Sequence, residues 1–245
     1  MAQRKTGDAS AEAIEESVQK EERNARRNNV LRAGVLGAND GIVSIAALVV
    51  GVAAANSAHG VIATAGFAGM AAGALSMAVG EYVSVHSQRD AEVSQLERER
   101  GLHLERPEWE MEQLVRLHMD TGMSEKVARL AAKEQTSHDP LGAHARAHLG
   151  IDPYELVSPA HAGLSSLLAF TIGGTAPILS ILLAPAGVRI PLTFGIVLLA
   201  LGTTGAISAK IAQSPYPRAI LRNLIGGSIA LAVTYGIGAL VGTQV

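Results

Sequence analysis

Long apolar blocks separated by short turns make up most of the chain. Five of them are close to the roughly 20 residues that an α-helix needs to cross a bilayer. They cover about 33–55, 61–84, 161–183, 191–211 and 219–242. The polar turn 56–60 joins the first two blocks into a hairpin, and Gly and Pro residues mark the turns between the last three. The pattern predicts an all-α integral membrane protein with five transmembrane helices, whose partners include the lipid bilayer.

A charged region separates the second block from the third. It contains 14 of the 22 acidic residues, whereas residues 41–80 contain no Asp, Glu, Lys or Arg. Its pattern predicts three helices: one that continues the second span to about Arg100, one from Pro107 to about Thr121, and one from Ser124 to just before His138. The predicted domains are a tail (1–32), the first two spans (33–88), an acidic helical insert (89–157) and the last three spans (158–245).

Lysine and arginine are concentrated on one side of the predicted bilayer. With five spans, the tail, the insert and the turn between the fourth and fifth spans share one side, and all three are rich in these residues. The turn before the fourth span, on the opposite side, has only Arg189. Because short loops rich in Lys and Arg stay in the cytoplasm, we expect a cytoplasmic tail and insert. The expected location is the inner cell membrane.

Composition and motifs narrow the possible function. The chain has no cysteine, which excludes disulfides and thiolate metal sites. Its net charge of −2 gives no reason to expect a nucleic-acid partner. The sequence has no Walker-type phosphate loop, nucleophile elbow or zinc-protease signature. We therefore expect neither an enzyme nor a prosthetic group. If the protein is a transporter, we expect an ion gradient to drive it, because the sequence has no motif for nucleotide hydrolysis.

One stripe of polar side chains connects the second span to the insert. No Gly or Pro lies between Glu81 and Arg100, so a single helix is predicted to run from the membrane into water. At 100° per residue, seven side chains on this helix fall within a sector of about 80°. They are Met77, Glu81, Ser84, Gln88, Glu92, Gln95 and Glu99. The helix therefore presents oxygen and sulfur atoms, which are able to bind metals, along about 30 Å. The alternative is that Glu81, Glu92 and Glu99 form a solvated face, which is the more common role of such carboxylates.

Asp40 and Met77 are candidate ligands at membrane depth. Asp40 is the only acid in the first span, where a charge costs about 2.5–3.5 kcal/mol and so needs a pathway or a partner. The alternative is that it lies close enough to the cytoplasmic end to reach water. Met77 shares a glycine-rich face with Glu81. Methionine is more often core filler, but a thioether beside a carboxylate suits a divalent transition metal better than Mg²⁺ or Ca²⁺.

The insert offers both carboxylates and histidines. A second acidic group follows the stripe, at Glu105, Glu108, Glu110 and Glu112. Two acidic helices joined by a short turn could converge on cations, or their acids could pair with the interleaved Arg98, Arg100 and Arg106; spacing leaves both open. Five histidines lie in the insert: His103, His118, His138, His144 and His148. His144 and His148 have an i, i+4 spacing that can serve a metal, although structural roles are more common.

Three segments carry a resemblance to a known family. They are 36–44 (LGANDGIVS), 74–90 (ALSMAVGEYVS followed by SQRD at 87–90) and 141–146 (LGAHAR). These strings resemble the vacuolar iron transporter family, and its bacterial and nodulin-21-like branch most closely. The resemblance extends from about residue 30 to the C-terminus. It implies a homodimer with five spans per chain and a cytoplasmic three-helix metal-binding insert, which moves Fe²⁺, and often Mn²⁺, out of the cytosol in exchange for protons.

The resemblance also implies site residues. The family's pore aspartate falls on Asp40 and its pore methionine on Met77. In the insert, the family's paired glutamates fall on Glu99 and Leu102, on Glu110 and Gln113, and near Lys133 and Thr136, so about half of the usual ligands are missing. The residues that would compensate are His103, Glu105, Glu112 and Glu134. An acid that some members carry two turns before the methionine is Gly69 here, and Glu81 would take its place.

The expected function is therefore a transporter that exports Fe²⁺ first and Mn²⁺ second from the cytosol by proton antiport. The expected pathway is Asp40, Met77 and Glu81. The expected metal ligands are these three with Glu92, Glu99, Glu105, Glu110, Glu112 and Glu134. The alternative is a membrane-anchored metal buffer or sensor without transport, and a buried Asp40 distinguishes the two because a tether has no use for a charge in the bilayer.

Overall fold

The computed structural model describes residues 34–56, 58–154 and 156–243, so the tail predicted over 1–32 lies outside the described residues. Within these described ranges eight α-helices follow one another: α1 (Gly34–Ala55), α2 (His59–Glu105), α3 (Pro107–Asp120), α4 (Glu125–His138), α5 (Pro140–His144), α6 (Pro159–Leu183), α7 (Arg189–Ile211) and α8 (Tyr216–Gly242). A π-helical turn, Ala145–Leu149, continues α5. No strand occurs in the described part of the chain.

Five of these helices, α1, α2, α6, α7 and α8, are long and apolar enough to cross a membrane. This finding confirms the all-α membrane fold class. The observed starts of α7 and α8 lie two and three residues before the predicted ones. Pro191, the predicted start of its span, is therefore the third residue of α7, and Pro217 falls inside the first turn of α8 rather than before it. Proline is tolerated there because the first N–H groups of a helix have no partner within the helix.

Helix α2 is 47 residues long, which corresponds to about 70 Å. It continues past Arg100, the predicted end, because Gly101 inside a helix costs only about 1 kcal/mol and does not terminate it. The helix ends at Glu105, immediately before Arg106 and Pro107. The residue before a proline is disfavoured in helical conformation, so Pro107 both ends α2 and occupies the first position of α3.

The chain divides into two compact units. The first, called the membrane unit, contains the described chain up to Val79 and from Gly163 onward. The second, called the insert unit, is Gly80–Ala162. Helix α2 contributes residues to both.

Helix α1 lies between two apolar clusters of the membrane unit. On one face Ile45 and Val49 pack against Phe170 and Ile178 of α6 and Ile62 of α2. On the other face, a second cluster joins α1 to α7 and α8 through Ile42, Ala46, Val50, Val197, Leu201 and Leu231. The central position of α1 means that its polar side chains are oriented by packing on both sides.

Glycines let α1 and α6 approach each other closely. A Cβ atom at Gly41 would lie 2.2 Å from the main-chain oxygen of Phe170, and one at Gly173 would lie 2.0 Å from that of Ala38. These distances leave no room for a side chain, so the two backbones are in direct contact. Such small-residue contacts are the usual means by which helices pack in membranes.

The insert unit has its own small core. Leu114 and Val115 of α3 pack against Ala128 and Ala132 of α4 and against Ala143 of α5. The π-helical turn ends at Gly150, whose φ of +66° is the left-handed conformation that favours glycine. The small alanine and valine side chains bring α5 close to α3, which places the histidines of the α5 region beside the acids of α3.

Candidate functional site

A groove in the membrane unit contains both of the ligands predicted at membrane depth. It has a volume of about 370 Å³, and Asp40 of α1 and Met77 of α2 both line it. The other lining residues are Ser44, Ile45, Leu48, Gly69, Gly73, Ser76 and Phe170. A carboxylate, a thioether and two hydroxyl groups therefore border one space with otherwise apolar walls.

Asp40 is held in this groove but is not covered. Its Oδ1 accepts a hydrogen bond of 3.0 Å from the hydroxyl of Ser44, one turn later on α1. In the single chain Asp40 is exposed, and Met77 is half-buried. A Cβ atom at Gly37 would lie 3.4 Å from Cε of Met77, so the thioether packs beside the α1 backbone. The groove thus leaves the carboxyl group of Asp40 open at one side, so the buried Asp40 expected from the sequence is not found in the single chain.

A polar network fixes the rotation of α1 about its axis. Oδ1 of Asn39 accepts hydrogen bonds from Oγ1 of Thr204 on α7 at 3.2 Å and from Nδ2 of Asn223 on α8 at 3.3 Å. Consecutive residues on a helix point about 100° apart. Because Asn39 is bound to α7 and α8, its neighbour Asp40 is directed to a different face, the one that borders the groove.

The glycines of α2 serve packing within the chain. The sequence indicates that the face of Gly66, Gly69, Gly73 and Gly80 meets another helix. An added Cβ atom at Gly80 would meet nothing within 4 Å, so the contact is limited to the other three glycines of this face. The structure identifies α1 and α6 as its neighbours: a Cβ atom at Gly69 would lie 2.1 Å from Leu48, and one at Gly73 would lie 2.4 Å from Phe170. These close contacts bring Met77 beside α1.

The stripe continues along α2 beyond Met77. Glu81 follows one turn later and is half-buried. Glu92 is half-buried too, and its Oε1 accepts a hydrogen bond of 2.8 Å from Nε2 of Gln88. Glu99, at the far end, is only 4% exposed. The polar face of the helix therefore carries partly covered carboxylates over several turns.

Five side chains of the insert unit form what we call the His–Glu cluster: Glu99 and His103 of α2, Glu110 of α3, His144 of α5 and His148 of the π-helical turn. Two overlapping sets within it have ligand atoms that all lie within 4.8 Å of one another. One set is Glu99, His144 and His148, and the other is Glu99, His103 and Glu110. The structure thus joins two of the predicted glutamates with three histidines that spacing alone did not select as ligands.

His144 is at the centre of the cluster. Its Nδ1 contacts Oε1 of Glu99 and lies 3.0 Å from Oε2 of Glu110. Its Nε2 lies 3.0 Å from the main-chain oxygen of Glu110. His103 and His148 lie on either side, with Nδ1 3.8 Å from Oε2 of Glu110 and 3.7 Å from Oε2 of Glu99, respectively. His144 and Glu110 are each 1% exposed, so their contacts are shielded from water.

The electrostatics of the cluster are set by burial. Desolvation raises the pKa of Glu110; the positive charge available on His144 opposes this, and the nearby carboxylate of Glu99 raises the pKa further. Neither Oε1 nor Oε2 of Glu110 accepts a well-formed hydrogen bond. A buried carboxyl group in this state favours a bound proton or cation.

The remaining predicted ligands lie outside the cluster. Glu105 and Glu134 are exposed on α2 and α4. Glu112 is bound by Arg129, whose Nη1 and Nη2 donate hydrogen bonds of 2.9 and 3.2 Å to its two oxygens. These hydrogen bonds lower the pKa of Glu112. Glu112 is therefore paired with an arginine, but the partner is Arg129 of α4 and not one of the interleaved Arg98, Arg100 and Arg106 that the sequence suggested. Among the cluster residues, His144 could have been found from the sequence by its place in the segment 141–146, which carries the family resemblance.

Asp139 organises the turn that presents His144. It caps α5 by accepting a hydrogen bond of 2.9 Å from the main-chain nitrogen of Gly142. It also accepts hydrogen bonds from Nη2 of Arg146 at 3.1 Å and from the hydroxyl of Tyr154 at 3.2 Å. The bond from Gly142 is the main cause that lowers the pKa of Asp139. The carboxylate thus stabilises the start of the short helix that ends in His144.

We expect Asp139→Ala to destabilise the insert unit by about 1 kcal/mol at pH 7, the usual cost of a lost helix cap. Because folding lowers this pKa, the stabilisation is fully present above the ordinary aspartate value of 3.8 and is lost as the pH falls through the lowered pKa. Thermal unfolding followed by fluorescence of Trp109, the only tryptophan, measures it. Asp139→Asn is the control, since asparagine caps comparably. An Ala variant as stable as wild type at pH 7 would contradict the capping role.

Comparison with known proteins places the chain in a family. A model of the VIT family matches residues 31–239. The chain is 38% identical over 217 residues to the "Vacuolar iron transporter" of Acanthamoeba castellanii, a match that covers 86% of this chain and 78% of that protein. It is 34% identical over 221 residues to "Vacuolar iron transporter homolog 4" of Arabidopsis thaliana, covering 90% and 88%.

A relative from rice, Oryza sativa subsp. japonica, gives a similar match. The chain is 35% identical over 213 residues to its "Vacuolar iron transporter homolog 1", covering 86% of this chain and 74% of that protein. The bacterial and nodulin-21-like branch is not tested by these matches and stays a prediction. Because the family model and these relatives both extend over most of its length, the chain belongs to the VIT family.

Proposed function

We propose that this protein is a metal-ion transporter, not an enzyme, and that it exports Fe²⁺, and secondarily Mn²⁺, from the cytosol in exchange for protons. The observation that carries the proposal is the groove in which Asp40 and Met77 meet. The names of its relatives, which are called vacuolar iron transporters or homologues of one, support iron as the cargo.

The groove has the chemistry that such a cargo needs. A carboxylate and a thioether together suit divalent transition metals, because the softer sulfur is a poor ligand for Mg²⁺ and Ca²⁺. The hydroxyl groups of Ser44 and Ser76 add neutral oxygen atoms to the same lining. A cation in this space would bind between α1 and α2 and would need to shed much of its hydration shell.

We assign the proposed proton exchange to Asp40. At membrane depth a bare carboxylate is costly, by about 2.5–3.5 kcal/mol on insertion scales. A carboxylate there needs a partner of opposite charge. In this proposal that partner is the transported cation in one step and a proton in the other. A metal ion that enters displaces the proton, and a proton that returns helps to release the metal, which is the elementary step of an antiporter.

The open side of the groove supports a homodimer. Asp40 is exposed in the single chain although it lies within a membrane-spanning helix. Charged residues inside membranes face a protein partner or a water-filled path rather than lipid. We infer that a second copy covers this side, so that the two grooves lie along a shared pathway.

The insert would collect the ion on the cytoplasmic side, a side assigned from the Lys and Arg distribution. This proposal includes the division of the chain into a tail (1–32), two spans (33–88), an insert (89–157) and three spans (158–245). It also includes the inner cell membrane as the location. Glu81 and Glu92, on the polar face of α2, would guide the ion between insert and groove. Glu105, Glu112 and Glu134 would contribute attraction from the surface of the insert.

Iron-driven proton movement in liposomes tests the proposal. With purified protein reconstituted in liposomes under anaerobic conditions, an acidic lumen should drive Fe²⁺ inward, and each ion that enters should make the lumen more alkaline. Collapsing the pH gradient with an ionophore should slow uptake, and protein-free liposomes provide the background. Iron uptake without any change in lumenal pH would contradict antiport. Absence of flux with both Fe²⁺ and Mn²⁺ would favour the buffer or sensor alternative.

A further inference from the structure

The His–Glu cluster combines ligands that an acidic collecting surface does not explain. We propose that Glu99, Glu110 and His144, flanked by His103 and His148, form a buried site for one transition-metal ion that prefers Co²⁺, Ni²⁺, Zn²⁺ and Fe²⁺ over Mn²⁺, Mg²⁺ and Ca²⁺. The inference deepens the proposed function and rests on it only in assigning the site the task of supplying the transported ion. The three histidines are its new element.

Hydrogen bonding at His144 prepares one ring nitrogen for a metal. A main-chain carbonyl oxygen can only accept a hydrogen bond, so Nε2, 3.0 Å from the carbonyl of Glu110, carries a proton. In the neutral ring Nδ1 then has a free electron pair. Histidines that bind metals are commonly held in this manner, with the second ring nitrogen donating to a main-chain oxygen.

Three electron-rich atoms face one another at this nitrogen. Nδ1 of His144 contacts Oε1 of Glu99 and lies 3.0 Å from Oε2 of Glu110. A free electron pair and two carboxylate oxygens repel each other unless a positive charge lies among them. That charge is either an additional proton or a metal ion, and a nitrogen with two carboxylates is a ligand set that divalent transition metals bind.

The protein itself supplies little fixed positive charge here. Glu99 and Glu110 are 4% and 1% exposed, and burying an unpaired carboxylate is costly. Within the described chain, the ion-pair partners of both acids are histidines, and no Lys or Arg nitrogen lies within 4.0 Å of either. Both oxygens of Glu110 lack a well-formed hydrogen bond. A divalent ion would offset both charges at once.

The flanking histidines decide the metal preference. The rings of His103 and His148 lie 5.0 and 5.7 Å from that of His144, measured between centroids. Imidazole ligands favour the later first-row metals, whereas Mg²⁺ and Ca²⁺ prefer oxygen, and Mn²⁺ is the weakest of the series. The side chain of His148 is 39% exposed, which gives an ion access to the buried ligands.

Co²⁺ titration of the full-length protein in detergent tests the site, because nitrogen ligands change the visible spectrum of this ion. The titration is carried out in the Asp40→Asn variant, so that Co²⁺ binding in the groove does not contribute to the signal. We expect one Co²⁺ per chain, bound at least about tenfold more tightly than Mn²⁺. His144→Ala should weaken Co²⁺ binding by about 100-fold, and Glu110→Gln should weaken it as well. The matched control, His138→Ala, changes a histidine of the same unit outside the cluster and should leave binding unchanged.

A second variant keeps the test independent of folding. His148→Ala changes a partly exposed side chain, should preserve the Trp109 fluorescence and unfolding temperature of the wild type, and should weaken Co²⁺ binding by about tenfold. Unchanged Co²⁺ affinity in both folded His144 and His148 variants, or equal affinities for Co²⁺ and Mn²⁺, would overturn the site. Co²⁺ binding as expected, together with no flux in liposomes, would overturn the transport proposal and leave this site standing.

Discussion

Asp40→Asn is expected to slow metal transport by about two orders of magnitude while the protein remains folded. The amide has nearly the same size, and its oxygen can still accept the hydrogen bond from Ser44. It has lost the charge that attracts a cation and the proton that would be exchanged. Interactions with a charged group contribute up to about 3 kcal/mol, so the Fe²⁺ flux should fall by about 100-fold.

The liposome assay with an acidic lumen measures this loss of flux. Two further variants show whether the loss is specific to the side chains of the groove. Glu97→Gln removes a carboxylate that is exposed on α2 and belongs to no candidate site, so transport should be unchanged. Met77→Leu keeps the packing volume of the side chain beside Gly37 but removes the sulfur, so a reduced flux would identify the thioether as a ligand rather than as filler. Flux at the wild-type level in the Asp40 variant would rule out the groove as the pathway.

The membrane fold follows from the sequence because bilayer thickness fixes the length of an apolar block. Errors arose where local rules were too strict. The sequence predicts that the helix of the second span ends at about Arg100, although α2 continues to Glu105, and that the fifth span starts at about residue 219, although α8 already contains Pro217 in its first turn. In each case the cost of a helix breaker was smaller than the gain from continuing the helix.

The two sites differ in how far a sequence can predict them. Asp40 stands out because a charge in an apolar block needs an explanation, and Met77 because it shares a face with Glu81. For the His–Glu cluster the sequence offers only separate signals: the resemblance points to Glu99 and Glu110, and the segment 141–146 contains His144. Helical periodicity relates residues of one helix only, whereas Glu99, Glu110 and His144 come from three helices, and their meeting depends on the tertiary packing of the small side chains in α4 and α5. The same limit applies to the pairing of Glu112 with an arginine 17 residues away.

Gly41→Ala is expected to destabilise the membrane unit by about 1–3 kcal/mol, the usual cost of overpacking. The added Cβ atom would lie 2.2 Å from the main-chain oxygen of Phe170, 2.9 Å from its carbonyl carbon and 3.0 Å from the nitrogen of Gly174. All three are backbone atoms of α6, so no side-chain rotation can relieve the clash. Helices α1 and α6 must instead move apart, which opens the cluster around Ile45.

The unfolding temperature of the detergent-solubilised protein, followed by circular dichroism, measures this effect against Gly195→Ala in α7. A Cβ atom at Gly195 would meet no atom within 4 Å, and alanine favours helix over glycine by about 1 kcal/mol, so that variant should be as stable as wild type or slightly more stable. Equal unfolding temperatures of the two variants would contradict the close contact. Because Gly41 adjoins Asp40, the displacement of α1 should also slow Fe²⁺ flux, which links helix packing to the geometry of the groove.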